Sequence, residues 1–274
     1  PGPARAGARS GSWGRHEVDS GVAFQWTAGP GYDYQPDWSP DGSTIVLVRY
    51  DGNAMELQSL HVESGEVTAL TSAGAVNVEP RWSPDGSKIA FVSTSENGRF
   101  HLYVGDYSED TLTAAPLLEE RQSEIYRYYY SAFDHELSPS WSPDGSEILY
   151  VGNPEIPYGS GAIWRRQADG SGEPTLVRKE ETSWKARPDW APDGNRIAYA
   201  SYLGRQWHQL WVATPENRAE PFPLTSGDFD ITSPRWSPGG DQIAFVTNES
   251  GSTAIQVQDM VGGKRTPLRI TEKR

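Results

Sequence analysis

The sequence predicts an all-β chain, a β-propeller of four-stranded antiparallel blades with five full repeats plus a partial sixth blade from the N-terminus. Three observations carry this expectation. The phrase Pro36-Asp37-Trp38-Ser39-Pro40-Asp41-Gly42 returns at Pro80–Gly86, Pro139–Gly145 and Pro188–Gly194, and with Gly239 in place of Asp at Pro234–Gly240. Each copy runs into a short apolar segment: Ile45–Val48, Ile89–Val92, Ile148–Val151, Ile197–Ala200 and Ile243–Val246. The tryptophans Trp38, Trp82, Trp141, Trp190 and Trp236 are separated by 44, 59, 49 and 46 residues. Short strands repeating at that length are the pattern of propeller blades.

The elements follow in chain order. Residues 1–15 are rich in Gly, Ala, Arg and Ser without an apolar stretch, and read as a flexible lead, what remains after removal of an export signal. Residues 16–274 read as a single propeller domain. Within it, Val18-Asp19-Ser20-Gly21 followed by Trp26-Thr27 matches Val62-Glu63-Ser64-Gly65 followed by Leu70-Thr71. Residues 16–29 are therefore expected to form the two outer strands of a sixth blade. Residues 255–271 already complete the fifth blade, which leaves two readings: a degenerate six-bladed ring, the favoured one, or five blades with 16–29 accessory.

Residues 35–71 are the type blade. A first strand is expected over 35–40, with Pro36 at its start where a missing N–H does least harm. Pro40-Asp41-Gly42 supplies a tight turn, Pro setting φ and Gly accepting a positive one. Strands over 44–50, 56–62 and 67–71 follow, separated by Asp51-Gly52-Asn53 and Ser64-Gly65. Four short strands cannot cover both their faces alone, so blades bury one another in a ring. The five repeat tryptophans are expected to pack between blades. The residues before them, Asp37, Arg81, Ser140, Asp189 and Arg235, suggest ion pairs between neighbouring blades near the axis, Asp37 with Arg81 and Asp189 with Arg235.

Composition limits function. The formal net charge of −13 disfavours nucleic-acid partners. No run of apolar residues is long enough to span a membrane. With no cysteine, disulfides, thiolate catalysis and cysteine-bound metals are excluded. Only 36% of residues are hydrophobic, but 11 Trp and 13 Tyr bury large areas each.

The phrase P-x-W-S-P-D-G-x-x-I-A-[FY]-V, followed by a strand such as Leu210-Trp211-Val212 and then Leu224-Thr225, resembles the TolB-like propeller repeat over residues 16–271. The resemblance implies a periplasmic or extracellular propeller, usually six-bladed, that binds other proteins or is fused to a hydrolase. Residues 158–165 and 201–211 are similar to the propeller half of bacterial propeller–amidohydrolase fusions, whose catalytic half has no counterpart here.

Departures from the repeat fall on the face that carries the blade links. The longest, residues 119–137, holds Tyr126, Arg127, Tyr128, Tyr129, Tyr130, Phe133 and His135. Tyr158, Trp184, Arg205, Trp207 and His208 lie in three further departures on that face. Aromatics and Arg on loops of a rigid scaffold are the composition of protein-binding hot spots. Packing of the loop onto the ring is an equally weighted reading for the tyrosines, and slightly the stronger one for Trp207 and His208.

Catalytic patterns fail. There is no G-x-S-x-G, no H-E-x-x-H and no His-x-His, and the five histidines are scattered. Neither a cofactor nor a metal site is expected, although calcium on loop carboxylates and a glycan at the channel mouth stay open. The expectation is a non-enzymatic, exported accessory or scaffold subunit. It would bind protein through its loop-rich face, on the periplasmic side of a membrane-anchored complex. The alternative is a substrate-binding or gating propeller for a separate amidohydrolase-type hydrolase.

Overall fold

Each repeat is built around a hairpin loop whose side chains hold its own backbone. Ser39 Oγ donates to Asp41 Oδ1 (2.6 Å) and accepts from Thr44 N–H (2.9 Å), while the Asp41 carboxylate accepts from Ser43 N–H (3.0 Å). Gly42, at φ 73°, closes the loop by donating its N–H to Ser39 O (2.9 Å). The same set recurs at Ser83–Asp85–Ser87 and Ser142–Asp144–Ser146. Serine hydroxyl bonds, followed by the backbone N–H, hold the carboxyls of Asp41, Asp85 and Asp144 down to about 2. Ala191 lacks the hydroxyl in the fourth copy, where Asp193 is bonded by Asn195 N–H and by Arg196 Nε instead. In the fifth, Ser237 turns to Asp241, beyond the glycines (2.8 Å).

The computed structural model describes residues 14–16, 23–25, 27, 31–118, 135–153, 161–179, 186–202, 206–216 and 218–268. A two-stranded sheet, β1 (Gly14–His16) with β2 (Ala23–Gln25), precedes five four-stranded antiparallel meanders. Blade 1 is β3 (Tyr32–Trp38), β4 (Thr44–Tyr50), β5 (Met55–His61) and β6 (Val67–Ala69). Blade 2 is β7 (Asn77–Trp82), β8 (Lys88–Ser93), β9 (His101–Ser108) and β10 (Thr111–Pro116), and blade 3 is β11 (Glu136–Trp141), β12 (Glu147–Gly152), β13 (Ala162–Gln167) and β14 (Thr175–Arg178). Blade 4 is β15 (Asp189–Trp190), β16 (Ile197–Ser201), β17 (Gln209–Ala213) and β18 (Phe222–Pro223), and blade 5 is β19 (Ile231–Trp236), β20 (Gln242–Thr247), β21 (Ala254–Asp259) and β22 (Arg265–Pro267). Among the described residues no helix is long and apolar enough to cross a membrane.

The first strand differs from its expected form. Pro36 does not begin β3 but sits inside it, at a register shift between Tyr34 and Asp37 that recurs in β7, β11 and β19. The residue before the proline has positive φ in all five copies, Gln35 46°, Glu79 56°, Ser138 56°, Arg187 40° and Ser233 55°, and in the four bulged strands it takes up the bulge. A bulge frees one residue from the ladder, so a proline there forfeits no strand hydrogen bond. Strand β4 matches its expected range, and β5 and β6 differ only at their ends.

Apolar clusters lie at the joints between blades. Trp82 packs with Val46, Val48 and Leu57 of blade 1, and Trp141 with Ala90 and Leu102 of blade 2. Trp190 joins Leu149, Val151 and Ile163 of blade 3, and a half-buried Trp236 lies against Ala198, Leu210 and Val212 of blade 4. Each indole thus covers the preceding blade. Trp38 is 42% exposed, against 6% for Trp82 and 8% for Trp141. Strand β3 packs closely on β7 but has no packing of similar extent on blade 5, and Tyr32 and Tyr34 beside Trp38 are exposed too. Trp141→Ala is expected to lower the unfolding free energy by about 3–5 kcal/mol, and Trp38→Ala by clearly less. Equal losses in urea denaturation would refute the difference in packing between the two positions.

Candidate functional site

The innermost strands bring one repeated stretch of five blades to the axis. There Gln35, Pro36, Glu79, Arg81, Ser138, Pro139, Arg187, Pro188, Ser233 and Arg235 enclose a cavity of about 160 Å³. The bulges place these side chains, and each blade serves the backbone of the next. Glu79 N–H donates to Gln35 Oε1 (2.8 Å), and Ser138 N–H to Glu79 Oε2 (2.6 Å). Two residues on, Trp82 N–H donates to Asp37 Oδ2 (2.8 Å), Trp190 N–H to Ser140 Oγ (3.1 Å) and Trp236 N–H to Asp189 Oδ2 (2.7 Å).

The alternating charges meet across the joints as the sequence suggested. Arg81 Nη1 donates to Asp37 Oδ1 (3.1 Å) and Arg235 Nη1 to Asp189 Oδ1 (3.4 Å). Burial pushes both acids up. Asp189 rises to about 7 because desolvation outweighs the Trp236 N–H bond and the charge of Arg81, with Asp37 adding to the rise. Asp37 is raised by the same desolvation, opposed by Arg81 and by Trp82 N–H. Arg187 donates to Ser233 Oγ (2.8 Å) and brings Nε to 3.9 Å from Glu79 Oε1. Nothing in residue type announced this cavity. The available signal was a polar residue before the proline in every copy of the phrase.

The loop-rich face is described only in part. Tyr126, Arg127, Tyr128, Tyr129, Tyr130, Phe133, Tyr158, Trp184 and Arg205 lie outside the described residues. His135 is half-buried, with its N–H donating to Asn153 Oδ1 (2.8 Å). Trp207 is 36% exposed. His208 beside it is buried: its Nδ1 lies 3.1 Å from Asp230 Oδ1 and its ring 3.7 Å from that of Tyr202. His208 thus ties blade 4 to the start of blade 5. On the same face, His101 Nδ1 lies 3.2 Å from Glu136 Oε2, and Asn77 donates to Glu56 Oε2 (2.8 Å). The bond to Glu136 raises the His101 pKa against the opposing effect of burial. Among the described residues no three His, Cys, Asp or Glu side chains group as metal ligands.

Comparison with known proteins agrees with this geometry. Residues 16–125 match the family model described as the TolB beta propeller domain. Over that stretch this chain is similar to the TolB propellers. A Tol-Pal system protein TolB from a Polaromonas species is 39% identical to it over 72 residues, 26% of this chain and 16% of that protein. The TolB-like propeller therefore matches only a small part of that relative's length. A solved putative TolB from Agrobacterium tumefaciens superposes with a TM-score of 0.71 at 21% identity, covering 92% of this chain and 86% of that one. A puromycin-hydrolysing peptidase from Mycobacterium tuberculosis gives 0.65 at 14% identity, covering 90% of this chain and 39% of the other. At these identities the structural likenesses concern the fold of the TolB-like propeller alone.

The raised acids make stability depend on pH. From about pH 4 to pH 7 the native propeller holds a proton on Asp189 that the unfolded chain releases, so stability falls as pH rises through that window. Raised Asp37 acts in the same direction. His101 does so at higher pH, its contribution being full below the ordinary histidine pKa and lost as pH rises through its raised value. Asp189→Asn is expected to flatten the slope between pH 4 and 7 by about one proton. Chemical denaturation of both proteins across that range checks this, and parallel curves would contradict it.

Proposed function

We propose that this TolB-like propeller is a non-enzymatic, exported scaffold that binds another protein through its link-bearing face. In this reading it works as an accessory subunit on the periplasmic side of a membrane-anchored complex. One observation carries the reading. The link between blades 2 and 3, residues 117–135, is far longer than links 70–76 and 224–230, and its added length is where the Tyr-Arg-Tyr-Tyr-Tyr run sits. It leaves the ring on the face that also carries the exposed Trp207. A long aromatic link on a stiff ring suits a hot spot, because the scaffold bears the ordering cost of its anchors. Capture from native membranes by the wild-type chain is expected to enrich a discrete partner. Tyr128→Ala with Tyr129→Ala and Trp207→Ala should reduce that capture at least tenfold while leaving the fold unchanged. Undiminished capture by the triple variant would refute the assignment of the face.

A second reading makes the chain the substrate-gating propeller of a separate hydrolase. Its support is the fold shared with the puromycin-hydrolysing peptidase, of which this chain covers 39%.

The strands β1 and β2 are read here as the outer half of a sixth blade beside blade 1. The exposed Trp38, Tyr32 and Tyr34 support this, since an inner pair of strands at that joint would cover them. Amides of Gly14–His16 and Ala23–Gln25 are then expected to exchange as slowly as those of β6 and β22. Exchange at the rate of an unstructured segment would remove this assignment.

A further inference from the structure

We propose that the axial cavity is a binding site for a carboxylate group. Three guanidinium groups, those of Arg81, Arg187 and Arg235, line it, and Glu79 is the one acid among its lining residues. Each guanidinium carries five N–H donors, and the contacts found among the described residues leave many unused. Arg187 makes one hydrogen bond, to Ser233 Oγ, and Arg81 Nε is buried with no partner. Glu79 cannot fill this need, because Ser138 N–H already occupies one of its oxygens and Arg187 Nε stands 3.9 Å from the other. The cavity's own lining carries three guanidinium groups against one carboxylate, with Asp37 and Asp189 paired to Arg81 and Arg235 from behind, within a chain of net charge −13.

Size and shape select the anion. The cavity of about 160 Å³ has room for a small acid group. A planar monoanion can take the paired donors of an arginine fork, with the hydroxyls of Ser138 and Ser233 beside it. A compact dianion such as phosphate would bring a second charge towards Glu79, Asp37 and Asp189. The ionisable groups around the site are Asp37 on β3, Glu79 and Arg81 on β7, Arg187 just before β15, Asp189 on β15 and Arg235 on β19. Asp189 couples the site to pH: in its neutral form the cavity is more positive, so binding is tighter below about pH 7 than above it.

This inference goes beyond protein docking, because small probes test it without any partner. Acetate represents a free carboxylate. N-acetyl-triglycine, with its terminus free or amidated, represents one carried by a polypeptide. Each is titrated calorimetrically at fixed ionic strength in chloride. Saturable binding is expected for acetate or for the free-acid peptide, whichever source fits, and not for the amide. Arg187→Gln should weaken it at least tenfold and Arg187→Lys by an intermediate factor. In the wild type, affinity should fall from pH 6 to pH 8, and Asp189→Asn should abolish that fall. Circular dichroism checks the fold of each variant; should Arg187→Gln not fold, the Lys variant and the Asp189→Asn pH profile decide. An equal response to chloride, tighter binding of phosphate than acetate, or affinity unchanged by loss of the Arg187 fork would overturn the proposal.

Discussion

Backbone N–H groups that the bulges of the inner strands free from the ladder need other acceptors, and the rest of this ring is arranged around satisfying them. An unpaired buried N–H costs about as much as a lost hydrogen bond. Here the side chain of one blade accepts the N–H of the next, at Gln35 to Glu79 and Glu79 to Ser138, and again at Asp37 to Trp82 and Asp189 to Trp236. The bulge makes this possible by turning the residue before each proline into positive φ and pointing it across the joint. The tryptophan that follows then seals the joint with its indole, so polar and apolar closure are set by residues two or three apart.

The electrostatics of the axis follow from the same arrangement. Acceptors for backbone N–H groups are best supplied by carboxylates, yet desolvation works against the charge on Asp37 and Asp189. Arg81 and Arg235 offset part of that cost from the neighbouring blades. Arg187 comes no nearer than 3.9 Å to Glu79 and Arg81 Nε is buried without a partner, so guanidinium donors at the axis outnumber the hydrogen bonds they make. Strain and charge concentrate in one small volume, a combination found at binding sites more often than in inert cores.

Much of the fold was legible in the sequence, because turn chemistry and strand alternation are local. Strand β4 appears where Thr44–Tyr50 predicts it, and the Asp-Gly turn closes as Pro40-Asp41-Gly42 requires. The first strand was misjudged for a physical reason: Pro36 reads as a strand start, whereas the bulge hides its missing donor within β3. The axial cavity was not legible, since Gln35, Glu79, Ser138, Arg187 and Ser233 share a conformation but no residue type. The paired charges around it were, because Asp37 and Arg81 occupy the same repeat position in successive blades. Trp207 and His208 look alike in sequence as loop residues, yet one is exposed and the other buried against Asp230 and Tyr202. Only the position of the next blade separates them.

The hand-to-hand bonding at the axis has a consequence for how such a ring can change over generations. Beyond the ladder within its own blade, each inner strand of blades 2 to 5 has an N–H accepted by a side chain of the blade before it. A duplicated or exchanged repeat therefore arrives with an acceptor suited to one neighbour and a donor suited to another, and both must be met at once. What is inherited as a working unit is the joint, half from each repeat. Gln35 with Glu79 and Asp37 with Trp82 make one such heritable pair of halves, and Asp189 with Trp236 makes another. Diversification should thus proceed by matched changes across joints, leaving individual repeats free to drift elsewhere.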